Sequence, residues 1–370
     1  MNFSIKVFGC QYNEFDAVKL SNELKSLGLV ETNLDEADFV FVLNCSVRKT
    51  GVDRALGFTR NLQNKKVFLS GCVLEKDQGR FLKKGVVFFD IDDLQNLPRL
   101  IGAKKKNNKA KKETVSKFIP IMKGCDNFCS YCVVPYTRGR ELSRPFEVVL
   151  KDVIKVIGAG HKEIWLLGQN VNSYEGVITS QADQSAGERS RRISDDGILA
   201  SSGSARTPQD DSVVGFAKLL QEINDLDGDF LIYFTSNHPK DMTDEIIEAV
   251  ATLPKIAKQI HLPLQSGSDQ VLRSMNRPYT AKKYLELAKK IKARIPDIKI
   301  TTDVIVGYPG ESEDDFKKTV DIFKEVGFFQ AYVNKYSPRE GTRAHMLGDP
   351  IPWTEKQRRW EILNDIANKK

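Results

Sequence analysis

Three cysteines, Cys125, Cys129 and Cys132, fall within eight residues of the stretch Lys123-Gly-Cys-Asp-Asn-Phe-Cys-Ser-Tyr-Cys-Val-Val-Pro-Tyr-Thr-Arg-Gly-Arg140. Thiolates ligate metals. A lone thiol in a core is commonplace, but three this close, in a loop with Gly124 and Pro135, are hard to explain as packing. A structural zinc ion takes four protein ligands, one more than this C-x3-C-x2-C array offers. A [4Fe–4S] cluster is also held by cysteine thiolates. With three of them, one iron is left open to an outside ligand, which marks a reactive cluster rather than a simple electron carrier.

The other three cysteines follow three apolar runs. Ser4-Ile-Lys-Val-Phe8, Phe39-Val-Phe-Val-Leu43 and Lys66-Val-Phe-Leu69 run into Gly9-Cys10, Asn44-Cys45 and Gly71-Cys72. Each run is short, β-branched and aromatic, as strands are. Residues 13–28 carry apolar residues at helical spacing with a glycine stop, and 52–62 repeat the pattern more weakly. Strands alternating with helices imply a parallel sheet with right-handed crossovers. Their C-terminal ends share one edge, where ligands bind. Cys10, Cys45 and Cys72 are therefore expected to converge as a second three-thiolate site. The plainer alternative is three unrelated core thiols.

From residue 118 the strand–helix rhythm resumes. Strands are expected at 119–122, 164–167, 231–234, 260–264, 300–306 and 331–336. Helices are expected at 146–157, 216–224, 243–251, 281–293 and 312–326. Thr243 and Ser312, each followed by acids, read as helix starts. The fold class is α/β: an N-terminal parallel open sheet, then a partial (β/α)6 TIM-like barrel. Barrel chemistry sits at the C-terminal ends of the strands. Gly168-Gln-Asn170, Thr235-Ser-Asn-His238, Gln265-Ser266 and Gly307-Tyr-Pro-Gly-Glu311 fall there, as does the cysteine array. Each alone could be a turn or cap; their shared placement points to a pocket. Of the histidines, His161 reads as helix-end surface, His261 as a hydrogen-bonded interior residue and His238 as a pocket residue.

The array, with Tyr131 before its third cysteine, resembles the radical S-adenosylmethionine (SAM) superfamily. The six cysteines in two sets of three, with Phe8-Gly-Cys-Gln-Tyr-Asn13, resemble the methylthiotransferases within it. GQNVNSY, TSNHP, HLPLQSGSD, MNRPYT, DVIVGYPGESEDDF and NKYSPREGT extend the likeness over nearly the whole chain. FGCQYN and VVPYTRGRE are nearest to the MiaB type, the tRNA-2-methylthio-N6-dimethylallyladenosine synthases. The threonylcarbamoyladenosine and ribosomal-protein branches stand behind. The resemblance implies two [4Fe–4S] clusters: a SAM cluster on Cys125, Cys129 and Cys132 and a sulfur-bearing one on Cys10, Cys45 and Cys72. It implies SAM as methyl donor and radical source, and sulfur insertion at C2 of N6-isopentenyladenosine in the tRNA anticodon stem-loop. Tyr131, Gly168, Gln169, Asn170, Ser236, Gln265 and Asp303 are then expected around SAM. Arg138, Arg140 and His238 are expected on the substrate, with structural arginines as the alternative for the first two. No catalytic side chain is assigned beyond the clusters. A flavodoxin or ferredoxin is the expected electron donor. A non-catalytic iron–sulfur or zinc protein that binds RNA is a competing class.

The composition, 41% hydrophobic and 28% charged over 370 residues, is that of a soluble globular protein. No apolar run approaches the ~18 residues of a membrane span. The N-terminus lacks a signal-peptide layout. A cytoplasmic monomer is expected, where reduced thiols serve metals rather than disulfides. The net charge of +7 permits a polyanion without requiring one. Four segments are expected: 1–103 with the second cysteine set, a linker 104–117, the radical SAM domain 118–345 and a helical tail 346–370. Residues 103–117 hold seven lysines against one glutamate, which suits a solvated linker or a phosphate contact. Residues 177–212 read as a polar insertion near the pocket face. The small β-barrel (TRAM) domain with which the resembled family normally ends has no counterpart in this sequence.

Overall fold

The computed structural model describes residues 1–47, 49–62, 64–103, 113–178 and 213–368. Strands β1 (Asn2–Phe8), β2 (Val30–Glu31), β3 (Phe39–Cys45), β4 (Lys66–Cys72) and β5 (Val87–Phe88) form one parallel sheet in the order β2-β1-β3-β4-β5. Helices α1 (Gln11–Ser26), α2 (Lys49–Arg60), α3 (Glu75–Leu82) and α4 (Leu97–Ile101) belong to the same unit. Residues 39–44 of β3 are buried throughout, as the middle strand of a doubly covered parallel sheet must be. One face sets Phe3, Phe41 and Phe68 against Leu20 and Leu24 of α1. The other sets Val40, Val42 and Leu69 against Val52 and Ala55 of α2.

The second unit contains β6 (Phe118–Pro120), β7 (Met122–Lys123), β8 (Leu142–Ser143), β9 (Glu163–Leu167), β10 (Glu175–Val177), β11 (Val213–Gly215), β12 (Leu231–Phe234), β13 (Gln259–His261), β14 (Lys299–Val306) and β15 (Gln330–Lys335). Two parallel three-stranded sheets, β6-β9-β12 and β13-β14-β15, meet between β12 and β13 and make the open barrel. Around it run α5 (Val134–Arg138), α6 (Phe146–Gly158), α7 (Phe216–Asn224), α8 (Asp244–Thr252), α9 (Asp269–Ser274), α10 (Ala281–Arg294), α11 (Glu313–Val326) and α12 (Trp353–Asn368). Thr243 caps α8, and Ser312 with Asp315 closes a reciprocal capping box on α11. Among the described residues no helix is long and apolar enough to cross a membrane.

The expected strand 260–264 stops at His261. Pro263 has no N–H for the ladder, and Gln265 turns to a left-handed φ of 65°. The expected insertion is flanked by β10 and β11, which pair antiparallel; residues 179–212 lie outside the described residues, as do 104–112 of the linker. The C-terminal helix, expected as a tail, packs on the barrel. Lys356 is buried under Gly307 and donates to the Tyr336 carbonyl at 3.1 Å. Arg359 reaches Glu311 at 2.7 Å.

An open barrel has two free strand edges, and unpaired backbone there invites mispairing. At one, Asn368 of α12 bonds both the N–H and the carbonyl of Ala331, at 3.0 and 2.8 Å. Asn22 of α1 does the same for Thr114, on the lead-in to β6, at 3.0 and 2.8 Å. The N-terminal unit thus closes one edge of the barrel.

Candidate active site

The parallel register sets Cys45 directly opposite Cys72, while Phe8 lies opposite Asn44, so Cys10 emerges just beyond the same edge. Cys10 is the N-cap of α1. Asn13, fully buried, stitches these strand ends together: its Oδ1 accepts from Cys10 N at 3.3 Å and its Nδ2 donates to the Asn44 carbonyl at 3.5 Å. A Cβ on Gly9 would lie 2.1 Å from Asn13 Oδ1, and one on Gly71 would lie 2.8 Å from its Nδ2. Gly9 is needed because Asn13 fills that space, and Gly71 because of its φ of +102° and the Asn44 carbonyl 2.5 Å from where a Cβ would lie.

The other array follows β7. Gly124 has φ +79°, and a Cβ there would meet the Arg140 carbonyl at 2.0 Å. Gly124 N donates to Gln169 Oε1 at 2.6 Å, tying the loop to the end of β9. Asn276 donates to the carbonyls of Asn127 and Phe128, both at 3.1 Å. Ser130 bonds Tyr308 Oη at 2.8 Å and accepts from Ala344 N at 2.7 Å. Three thiols receive N–H groups: Cys125 from Asn127 Nδ2 at 3.3 Å, Cys129 from Arg277 Nη1 at 3.3 Å and Cys132 from Val134 N at 3.5 Å.

All six cysteines line one cavity of about 310 Å³ between the two units. Tyr131, Gly168, Gln169, Ser236, Gln265, Asp303, Arg138 and His238 share its wall. Ser236 and Gln265 hold positive φ, 66° and 65°, without being glycine, a strain that clusters at functional sites. Two expected members are absent from the lining. Asn170 is buried and donates to Asp241 Oδ2 at 2.8 Å instead. Arg140 is exposed and forks onto Asp126 at 2.7 and 3.0 Å. Arg138 lines the cavity, but inward: its Nε donates to Cys72 Sγ at 2.7 Å, its Nη2 meets Asp16 at 3.4 Å, and it stacks 3.9 Å from the centroid of Tyr12. The chain fixes the His238 tautomer, because Nδ1 accepts from Lys240 N at 3.2 Å and Nε2 must carry the proton. Burial, with Arg277 near, pushes its pKa down to about 2, so it is neutral. His261 is held by Thr301 and Asp303, each at 2.9 Å, and faces the cavity too.

Sequence reasoning missed Arg277, Asn13, Asn237 and the cavity role of His261. The motifs MNRPYT and FGCQYN contain the first two, but nothing in their spacing says that Arg277 reaches Cys129 or that Asn13 bridges strands.

The donor set fits iron–sulfur clusters. Among the described residues no three His, Cys, Asp or Glu side chains gather tightly enough for a single ion. A cluster takes each thiolate on a different iron, and all six cysteines are free. Burial raises the pKa of Cys125 and Cys132, the latter to about 12. Cys45 and Cys72 sit side by side at the sheet edge, and Arg138 Nε donating to Cys72 Sγ favours the thiolate there. Loading metal onto such thiols expels protons.

Residues 119–323 match the radical SAM superfamily, and residues 2–89 match the uncharacterized protein family UPF0004. The chain is 37% identical to the tRNA-2-methylthio-N(6)-dimethylallyladenosine synthase of Clostridium botulinum (strain Okra / Type B1), over 100% of this chain and 82% of that one. The same-named protein of Caldicellulosiruptor saccharolyticus is 37% identical over 100% and 79%. Among solved structures, the radical SAM methyltransferase TsrM of Kitasatospora setae superposes with a TM-score of 0.62 at 11% identity, covering 93% of this chain and 77% of that one. The cobalamin-dependent radical SAM enzyme OxsB gives 0.53 at 11%, over 100% and 57%. At such identities these two show likeness of fold alone.

Proposed function

Because the chain belongs to the radical SAM superfamily, in the family of the tRNA methylthiotransferases, we propose that it inserts sulfur and a methyl group at C2 of N6-isopentenyladenosine beside the anticodon of tRNA. One observation carries the reading: cysteines from two separate folding units face one cavity. Cys125, Cys129 and Cys132 would hold the cluster that binds SAM, and Cys10, Cys45 and Cys72 the sulfur-bearing one. When bound, these groups supply the electron, the carbon radical, the sulfur and the methyl group. That is chemistry side chains cannot do on an unactivated C–H.

The protein's own residues position and exclude. Gln169 holds Gly124 and thus the cysteine loop. Tyr131, Gly168, Ser236, Gln265 and Asp303, which line the cavity, would surround SAM, with Asp303 oriented by His261. His238 presents a neutral ring to the substrate side. The cavity is open on one side, and a substrate base filling that opening would keep water from a reactive radical. The anticodon loop is single-stranded, so its base can be splayed into such a cavity. The division 1–103, 104–117, 118–345 and 346–370 assigns one cysteine set to each large unit. The enzyme works as a cytoplasmic monomer fed by flavodoxin or ferredoxin.

The test is anaerobic incubation of cluster-reconstituted protein with SAM, reductant and isopentenylated tRNA. The tRNA is then digested and the methylthio nucleoside sought by mass spectrometry, with 5′-deoxyadenosine tracked alongside. Both products support the reading. 5′-Deoxyadenosine without the nucleoside, while threonylcarbamoylated tRNA is modified, moves the substrate to that branch. Neither product at full iron loading sinks it.

A further inference from the structure

We propose that the two cysteine sets are tuned independently, each by one buried arginine acting as a positioning and charge-balancing residue. Arg138 serves Cys10, Cys45 and Cys72, and Arg277 serves Cys125, Cys129 and Cys132. The proposal rests on the two-cluster reading above.

The geometry is parallel in the two halves. Arg138 Nε donates to Cys72 Sγ at 2.7 Å, and Arg277 Nη1 donates to Cys129 Sγ at 3.3 Å. The Arg138 side chain is 7% exposed and Arg277 is 6% exposed. Neither is free to swing toward a ligand. Arg138 is clamped by Asp16 and the Tyr12 ring. Arg277 is clamped by Tyr279 Oη at 2.9 Å and the Pro263 carbonyl at 3.4 Å. Both are thus preorganised around a sulfur.

A cationic N–H on a ligating sulfur favours the more negative, reduced state of a cluster, so it raises the reduction potential. In a buried site the charge acts strongly because little water screens it. The two arginines differ in one respect. Arg138 is paired with Asp16, which offsets part of its charge, while among the described residues no carboxylate pairs with Arg277. Arg277 therefore delivers the larger effect. Arg138 also sits at the end of α5, the helix that starts just after Cys132. Its contact to Cys72 makes the loop of one cysteine set the donor to the other.

The test uses the full chain, reconstituted anaerobically, in two backgrounds. With Cys125, Cys129 and Cys132 changed to Ala, only the N-terminal set is loaded; with Cys10, Cys45 and Cys72 changed, only the other. Each cluster's potential is read by EPR-monitored redox titration. Arg138→Gln is expected to shift the potential negative in the first background, and Arg277→Gln to shift it negative, and further, in the second. Each should leave the other background unchanged. Unchanged potentials in the matching backgrounds, or one arginine moving both, overturn the proposal. If a glutamine variant fails to hold iron, the lysine variant decides. Loading restored by Arg138→Lys or Arg277→Lys supports a role for charge, and equal loss with Lys and Gln overturns it. Wild-type iron is measured first: about eight per chain is expected for two four-iron clusters. About four would overturn the two-cluster reading itself, a result distinct from normal loading with unmoved potentials.

Discussion

The shared cavity exists only if the two units stay docked, and one buried ion pair is expected to carry much of that docking. Asp77 of α3 and Arg339, in the loop after β15, meet at 2.5 Å with side chains 10% and 7% exposed. Ser46, next to Cys45, donates to the same carboxylate oxygen at 3.2 Å. The Arg339 segment continues to Ala344, which donates to Ser130 inside the other cysteine array. The pair thus connects the surroundings of the two thiol sets. Removing one partner of a buried pair costs about 3–5 kcal/mol because the other charge is stranded. In Arg339→Met, Asp77 retains Ser46 and a distant Arg80 at 3.7 Å. The lower end, about 3 kcal/mol, is therefore expected. Urea denaturation of the wild type, Arg339→Met, Asp77→Asn and the double variant gives a double-mutant cycle. A coupling energy of about 2 kcal/mol is expected, within the range for residues in direct contact. Hydrogen exchange should speed up at α3 and around residue 339 more than in the centre of either sheet. Additivity of the two single variants within about 0.5 kcal/mol, the behaviour of independent sites, would refute the reasoning.

Asn13→Ala removes both stitching bonds and opens a void between the strand ends; a loss of about 2–3 kcal/mol is expected, from roughly 1 kcal/mol per bond plus the cavity. Iron retention should fall in the N-terminal set alone, measured in the background lacking the other three cysteines. Gly124→Ala forces a methyl group against the Arg140 carbonyl at a positive φ, so it should displace the Cys125 loop and abolish 5′-deoxyadenosine formation while sparing the N-terminal cluster's absorption. His238, whose pKa is depressed, should show no ring titration between pH 5 and 9 by ¹H–¹⁵N correlation. Its unfolded form takes up a proton below pH ~6.5 that the folded form refuses. Its share of stability is therefore complete above that pH and declines on acidification, by at most about 1.4 kcal/mol per pH unit. A histidine Nε2 that titrates near 6.5 would contradict the neutral, tautomer-locked ring.

The cysteine arrays were legible because their signal is local. Three thiols in one loop, and one thiol after each of three apolar runs, follow from spacing and from the rule that parallel strands end on one edge. The barrel's main strands and long helices were legible too, down to the caps at Thr243 and Ser312, because periodicity and capping act within a few residues, whereas short elements such as α3, α9 and the β10–β11 pair were not expected. One failure is local, the early end of the strand at His261 before Pro263; most of the others are long-range. Arg138 was expected to face substrate and instead hydrogen-bonds a thiol 66 positions away. Arg277 lies 148 positions from Cys129, and Arg339 lies 262 from Asp77. Asn170 and Arg140 sit at the expected strand and loop ends but turn to Asp241 and Asp126. A sequence fixes which side of a sheet or end of a barrel a residue occupies. Which way a long polar side chain turns there depends on the partner that relieves its desolvation, and that partner is brought close by tertiary packing. The fusion of two three-thiol sets into one cavity is the largest such decision: sequence alone supplied the thiols, and the packing of α1 and the Arg339 loop across the two units brought them to the same space.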